Sequence, residues 1–138
     1  MASTYAYGQE AAKPTYVDRF NGGTEEAEYV LEKVARSGRE VTLTISAKLT
    51  KGPERRSIMY FGVNMVDTDG VEHKARINSN AAGRSRPYEA TLRAGVKTKL
   101  EIRFPLDKSV TSLQVLEVTS AFVERVSIRF DDVEIPAR

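Results

Sequence analysis

Between Lys97 and Phe104 the chain changes character at every residue: Thr98, Leu100, Ile102 and Phe104 alternate with Lys97, Lys99, Glu101 and Arg103. A period of two places these sets on opposite faces of an extended backbone, so the segment reads as a strand with one buried and one wet face. Pro105 ends it, because proline cannot donate to a ladder. The pattern recurs in Val41, Leu43, Ile45, Ala47 and Leu49 against Thr42, Thr44, Ser46 and Lys48, and again in Val126, Ile128 and Phe130. Strands with one apolar face must bury that face against another sheet, which points to a sandwich.

The remaining segments fit this frame. After the break at Lys51-Gly52-Pro53-Glu54, a strand is expected with Met59, Phe61, Val63 and Met65 on one face. Asp67-Thr68-Asp69-Gly70 reads as the turn of a hairpin leading into Val71, His73, Ala75 and Ile77. A short strand follows at Tyr88–Leu92, another holds Leu113, Val115, Leu116 and Val118, and Val133-Glu134-Ile135 follows the last long one. Thr24–Gly38 supports two readings. Ala27, Val30, Leu31 and Val34 fall at helical spacing, with Thr24 as a cap and Gly38 as a stop; the same residues make a strand, Tyr29–Ala35, turning through Arg36-Ser37-Gly38-Arg39. The hairpin agrees better with the β pattern downstream. The expectation is an all-β, antiparallel two-sheet β-sandwich of about seven or eight strands, with Thr24–Ser37 the one place for a short N-terminal helix. Leu100, Ile102 and Phe104 are expected to pack against Val126, Ile128 and Phe130. Residues 1–23 read as a flexible or docking N-terminal leader, its docking part at Tyr16-Val17 and Phe20, and residues 24–138 as a single sandwich domain.

The hairpin through Arg36-Ser37-Gly38, the turn at Asp67-Thr68-Asp69-Gly70, the turn at Leu92-Arg93-Ala94-Gly95 and the run Leu100-Glu101-Ile102-Arg103-Phe104-Pro105-Leu106-Asp107 together resemble the immunoglobulin-like accessory domains of bacterial lipoproteins and other exported proteins. Over residues 27–135, that resemblance implies an immunoglobulin-like sandwich, an extracytoplasmic place in the periplasm or at the cell surface, and a role in binding or assembly rather than in a reaction.

The absence of cysteine excludes disulfides, thiolate metal sites and cysteine nucleophiles. His73 is the single histidine, which rules out a multi-histidine metal site, and no Gly-x-Ser-x-Gly motif accompanies it. Asp67-Thr68-Asp69-Gly70 opens like a calcium loop, but the twelfth position, where a bidentate acid belongs, is Asn78. Asp131 and Asp132 are adjacent on a strand and diverge unless a bulge intervenes. No metal, no cofactor and no catalytic residue is therefore assigned. Charge is uneven: Lys48–Arg103 carries twelve Lys and Arg against six Asp and Glu, the remainder nine against thirteen, for a net +2. Within the basic stretch, Arg84, Arg86 and Arg93 with Tyr88 form the candidate ligand-binding patch, since guanidinium forks take phosphate or carboxylate and a ring can stack. So mild an asymmetry disfavours a dedicated nucleic-acid binder. No apolar run reaches the length of a membrane span. The reading is a non-catalytic module with a protein partner, with self-association through Tyr5, Tyr7 and Tyr16 a further option; a carbohydrate-binding module is the alternative, weakened by the lack of tryptophan, and a small hydrolase is the least favoured.

Overall fold

The computed structural model describes residues 13–78, 88–119 and 127–137. Within them lie ten strands: β1 (Thr15–Phe20), β2 (Glu25–Ser37), β3 (Glu40–Lys51), β4 (Arg55–Tyr60), β5 (Gly62–Asp67), β6 (Glu72–Arg76), β7 (Tyr88–Arg93), β8 (Thr98–Pro105), β9 (Ser112–Thr119) and β10 (Ser127–Glu134). The count exceeds the expected seven or eight, because residues expected to be leader form a strand and one expected strand is two. One sheet has the order β1-β2-β3-β8, the facing sheet β10-β9-β5-β6, and β4 and β7 make a two-stranded ribbon. All the strand pairings are antiparallel.

The alternating segments do what their period dictates. Val41, Leu43, Ile45, Ala47 and Leu49 of β3, and Leu100, Ile102 and Phe104 of β8, are completely buried. Ile128 and Phe130 of β10 enter the same core, but not against β8 as expected: β8 lies beside β6 and β7, and β10 beside β1 and β2. Val126 lies outside the described residues. The two strands are at opposite ends of their sheets, and inward faces alone do not say which strands are opposed.

The segment expected to be helix or strand is strand from Glu25 to Ser37, beginning earlier than Tyr29. Glu32 is an extra residue in β2, since Leu31 faces Ile45 while Lys33 faces Thr44. This bulge inverts the alternation: Ala27, Tyr29 and Leu31 are buried before it, Val34 and Arg36 point inward after it. The loop back to β3 is Gly38-Arg39, with Ser37 paired to Glu40; Gly38 has φ +60 with open space around it, so backbone conformation and not crowding demands glycine there.

The break between β4 and β5 also corrects the expected parity. Ile58 and Tyr60 are buried in β4, Val63 and Met65 in β5, and Phe61 is 40% exposed. Phe61 is the crossover from ribbon to sheet: its N–H donates to Thr119 O at 2.8 Å and its carbonyl accepts from Ile77 N–H at 3.2 Å. Spending one residue on the crossing exchanges the faces, so Met59 and Phe61 do not share a side with Val63 and Met65.

Tyr16-Val17 and Phe20, read as the docking part of a leader, belong to β1, which pairs with β2 from Thr15↔Val30 to Phe20↔Glu25. The boundary drawn at residue 23 falls inside this hairpin. Arg36 is the other feature without warning in the sequence. Its buried guanidinium donates to the carbonyls of Val110 (2.7 Å), Leu106 (3.1 Å), Pro136 (3.3 Å), Lys108 (3.4 Å) and Asp107. One side chain on β2 thereby fixes both the β8–β9 connection and the segment after β10.

Candidate functional site

Of the predicted patch, Arg84 and Arg86 lie outside the described residues. Tyr88 and Arg93 sit at the two ends of β7 and on opposite faces: Ala90 and Leu92 are buried on the side of Tyr88, and Arg93 is exposed. The Tyr88 ring packs against the core, and its hydroxyl accepts from the backbone N–H of Glu101 at 3.1 Å. That hydroxyl covers an amide on the outer edge of β8. Arg93 lies across from Arg55 of β4, on the wet face of the ribbon.

Asp67 is committed to its own turn. One carboxylate oxygen accepts from the N–H groups of Asp69 and Val71, both at 2.9 Å, and the other lies 2.8 Å from His73 Nε2. The His73 contact, then the Val71 N–H, hold its pKa below the ordinary aspartate value, so this turn is tightest above that value and loosens as the pH falls through the lowered one. Among the described residues no three acidic or histidine groups converge as a metal site. EDTA is expected to leave the melting temperature unchanged; a large downward shift would show that a cation is held at Asp67–Gly70.

A concave feature lies between β2 and the end of β10. The bulged stretch Leu31–Val34 of β2 faces Asp132–Pro136, with Lys13 and Pro14 at the mouth, around an open cleft of about 470 Å³. That is within the usual range for binding pockets, roughly 300–1,000 Å³. Two backbone irregularities shape it. Glu32 bulges from β2, and Asp132 has φ 53, a left-handed conformation uncommon for a residue other than glycine. The turn at Asp132 moves burial from Ile128 and Phe130 to Val133 and Ile135 and leaves Asp131 and Asp132 both exposed. Asp131 accepts from Arg129 Nε at 3.0 Å, whereas Asp132 lines the cleft.

The floor is apolar, with Leu31, Val133 and Ile135 each under 5% exposed. The rim is charged. Glu32 accepts from Lys13 Nζ and Ser46 Oγ, both at 2.7 Å, and these contacts, Lys13 first, lower its pKa. Lys33 is exposed on one side, Asp132 and Glu134 on the other. β1 reaches only to the head of the cleft, where Leu31 N–H donates to Pro14 O at 2.8 Å. Beyond that point, from Lys33 to Ser37, β2 has a strand partner on the β3 side and none among the described residues on the other. Sequence reading weighed Asp132 only with Asp131 and did not join these residues into a cleft; the available signal was the spacing of Leu31 and Val34, which breaks a period of two.

The chain is thus an antiparallel β-sandwich protein with an open cleft beside a stretch of sheet edge that has no strand partner among the described residues. Its fold resembles that of MPT63, a secreted protein from Mycobacterium tuberculosis: TM-score 0.60, 14% identity, covering 91% of this chain and 98% of that one. Spo0M, a sporulation control protein from Bacillus subtilis, stands further off, with TM-score 0.38 and 19% identity over 91% of this chain and 50% of that one. No family model and no curated protein sequence matches the chain. Among the described residues no helix is long and apolar enough to cross a membrane.

Proposed function

We propose that this chain is a non-catalytic binding module of the bacterial envelope that takes up an extended segment of a protein partner by strand addition in the β2–β10 cleft. The observation that carries this reading is the edge of β2 from Lys33 to Ser37, unpaired among the described residues directly beside the apolar floor of the cleft. Strand addition takes affinity from main-chain hydrogen bonds and specificity from pockets for alternate side chains. Here Leu31, Val133 and Ile135 would receive apolar side chains, while Lys33 on one rim and Asp132 with Glu134 on the other favour a segment carrying both signs of charge. The fold likeness to a secreted protein supports the envelope location. The non-catalytic reading is supported by the commitment of Asp67 and His73 to a turn and of the Tyr88 hydroxyl to a strand edge.

Selection from a random peptide library displayed on phage tests the proposal. Extended peptides should be recovered, and both Lys33→Glu and Asp132→Lys should weaken them on the order of tenfold, as rim charges do. Binding confined to a glycan array, turnover in a broad hydrolase screen, or peptide binding indifferent to both substitutions would overturn it.

A further inference from the structure

We propose that β1 is a latch whose hold on the sandwich is set by protonation of Asp18. Asp18 stands opposite Ala27 of β2 and points into the interior, 9% exposed. Its Oδ2 atom is fully buried and has no hydrogen-bond partner. The titratable groups around it are phenols, Tyr16 on β1, Tyr29 on β2 and Tyr60 on β4. The Tyr29 and Tyr60 hydroxyls lie 3.2 Å apart and bond to each other, not to the carboxylate. Arg56 of β4 pairs with Glu25 at 2.6 Å and sits over the Phe20 ring. Arg129 of β10 pairs with Asp131, and Glu117 of β9 adds negative charge near Tyr16.

An ionised carboxylate taken from water without a partner is costly, and the neutral acid much less so. Burial of the unpartnered oxygen raises the pKa of Asp18 above 3.8, outweighing the Arg19 backbone N–H that lowers it, and burial raises the three phenols too, which stay neutral. Asp18 is then the member of this cluster that changes charge between acid and neutral pH. Because the docked state holds the proton more tightly, the stabilisation is complete below about pH 3.8 and is lost as the pH rises through the raised value. The cost falls on β1. Among the described residues that strand is a sheet edge bonded to β2 alone, so it can open locally without global unfolding. Opening would bare the β2 edge at Glu25–Val30 next to the stretch that has no strand partner among the described residues, whatever partner that edge accepts.

Amide hydrogen exchange read by mass spectrometry, corrected for intrinsic rates, tests the latch in the full chain. In the wild type, protection of β1 relative to β3 should fall between about pH 3.5 and pH 7.5. Asp18→Asn should keep the acid-level protection at both, while Asp131→Asn should behave as wild type. A pH-independent β1 in the wild type, the same fall in Asp18→Asn, or loss of the response in Asp131→Asn would overturn the proposal. Failure of Asp18→Asn to fold would also contradict it, since the neutral isostere is expected to be the more stable chain.

Discussion

Arg36→Met is expected to lower stability by about 3–4 kcal/mol, a large fraction of the roughly 5–15 kcal/mol that holds a domain together. Methionine keeps the apolar stem and removes every donor, leaving the carbonyls of Leu106, Asp107, Lys108, Val110 and Pro136 without the guanidinium that now serves them. A buried acceptor left unpaired costs about 1–3 kcal/mol. The sum is not reached because the β8–β9 connection can move outward and hydrate. Arg36→Lys should recover only part of the loss, since an ammonium offers three donors from one point where the guanidinium offers a planar fork. Urea unfolding with midpoints and slopes fitted separately measures both. A loss under about 1 kcal/mol for Arg36→Met would mean that these carbonyls find other partners at little cost.

Phe104→Ala is expected to be at least as damaging, at about 3–5 kcal/mol. Its ring is completely buried in β8 beside Leu100 and Ile102, with Val41 opposite on β3. Three residues earlier, Glu101→Ala should change stability by no more than about 0.5 kcal/mol. The Glu101 side chain is half exposed, its ion pair among the described residues is to Arg103 at 3.6 Å, and the N–H that donates to the Tyr88 hydroxyl is kept by alanine. The contrast reports on register, because a one-residue slip of β8 would exchange the two faces. Greater damage from Glu101→Ala would refute the assignment.

What the sequence reveals and conceals follows from where the period of two survives. β3 and β8 are regular along their inward faces, and Leu43 or Ile102 could be placed from spacing alone. In β2 the inward residues are Ala27, Tyr29, Leu31 and, after the bulge at Glu32, Val34, so Ala27, Leu31 and Val34 stand at offsets of four and three, which is the spacing of a helix. The helical signal there is a bulged strand seen without its partner. Phe61 misleads for a related reason, since a crossover residue carries the side-chain type of a core strand but belongs to neither sheet. Arg36 had only local explanations, because its acceptors lie at least 70 residues away in the chain. The cleft was hidden for the same cause: Lys33 and Asp132 are about 100 positions apart, and only the closing of the sandwich brings their strands together. Tyr88 was legible as a notable aromatic, but whether its hydroxyl faces a ligand or a strand edge depends on β8.

The strand-addition reading is tested most directly by titrating ¹⁵N-labelled protein with a selected peptide and following backbone amide shifts. The account predicts that the perturbed and newly protected amides are those of Lys33–Ser37, with further shifts at Asp132–Pro136 across the cleft. Perturbations centred on Arg55, Tyr88 and Arg93, with the amides of Lys33–Ser37 unmoved, would contradict it.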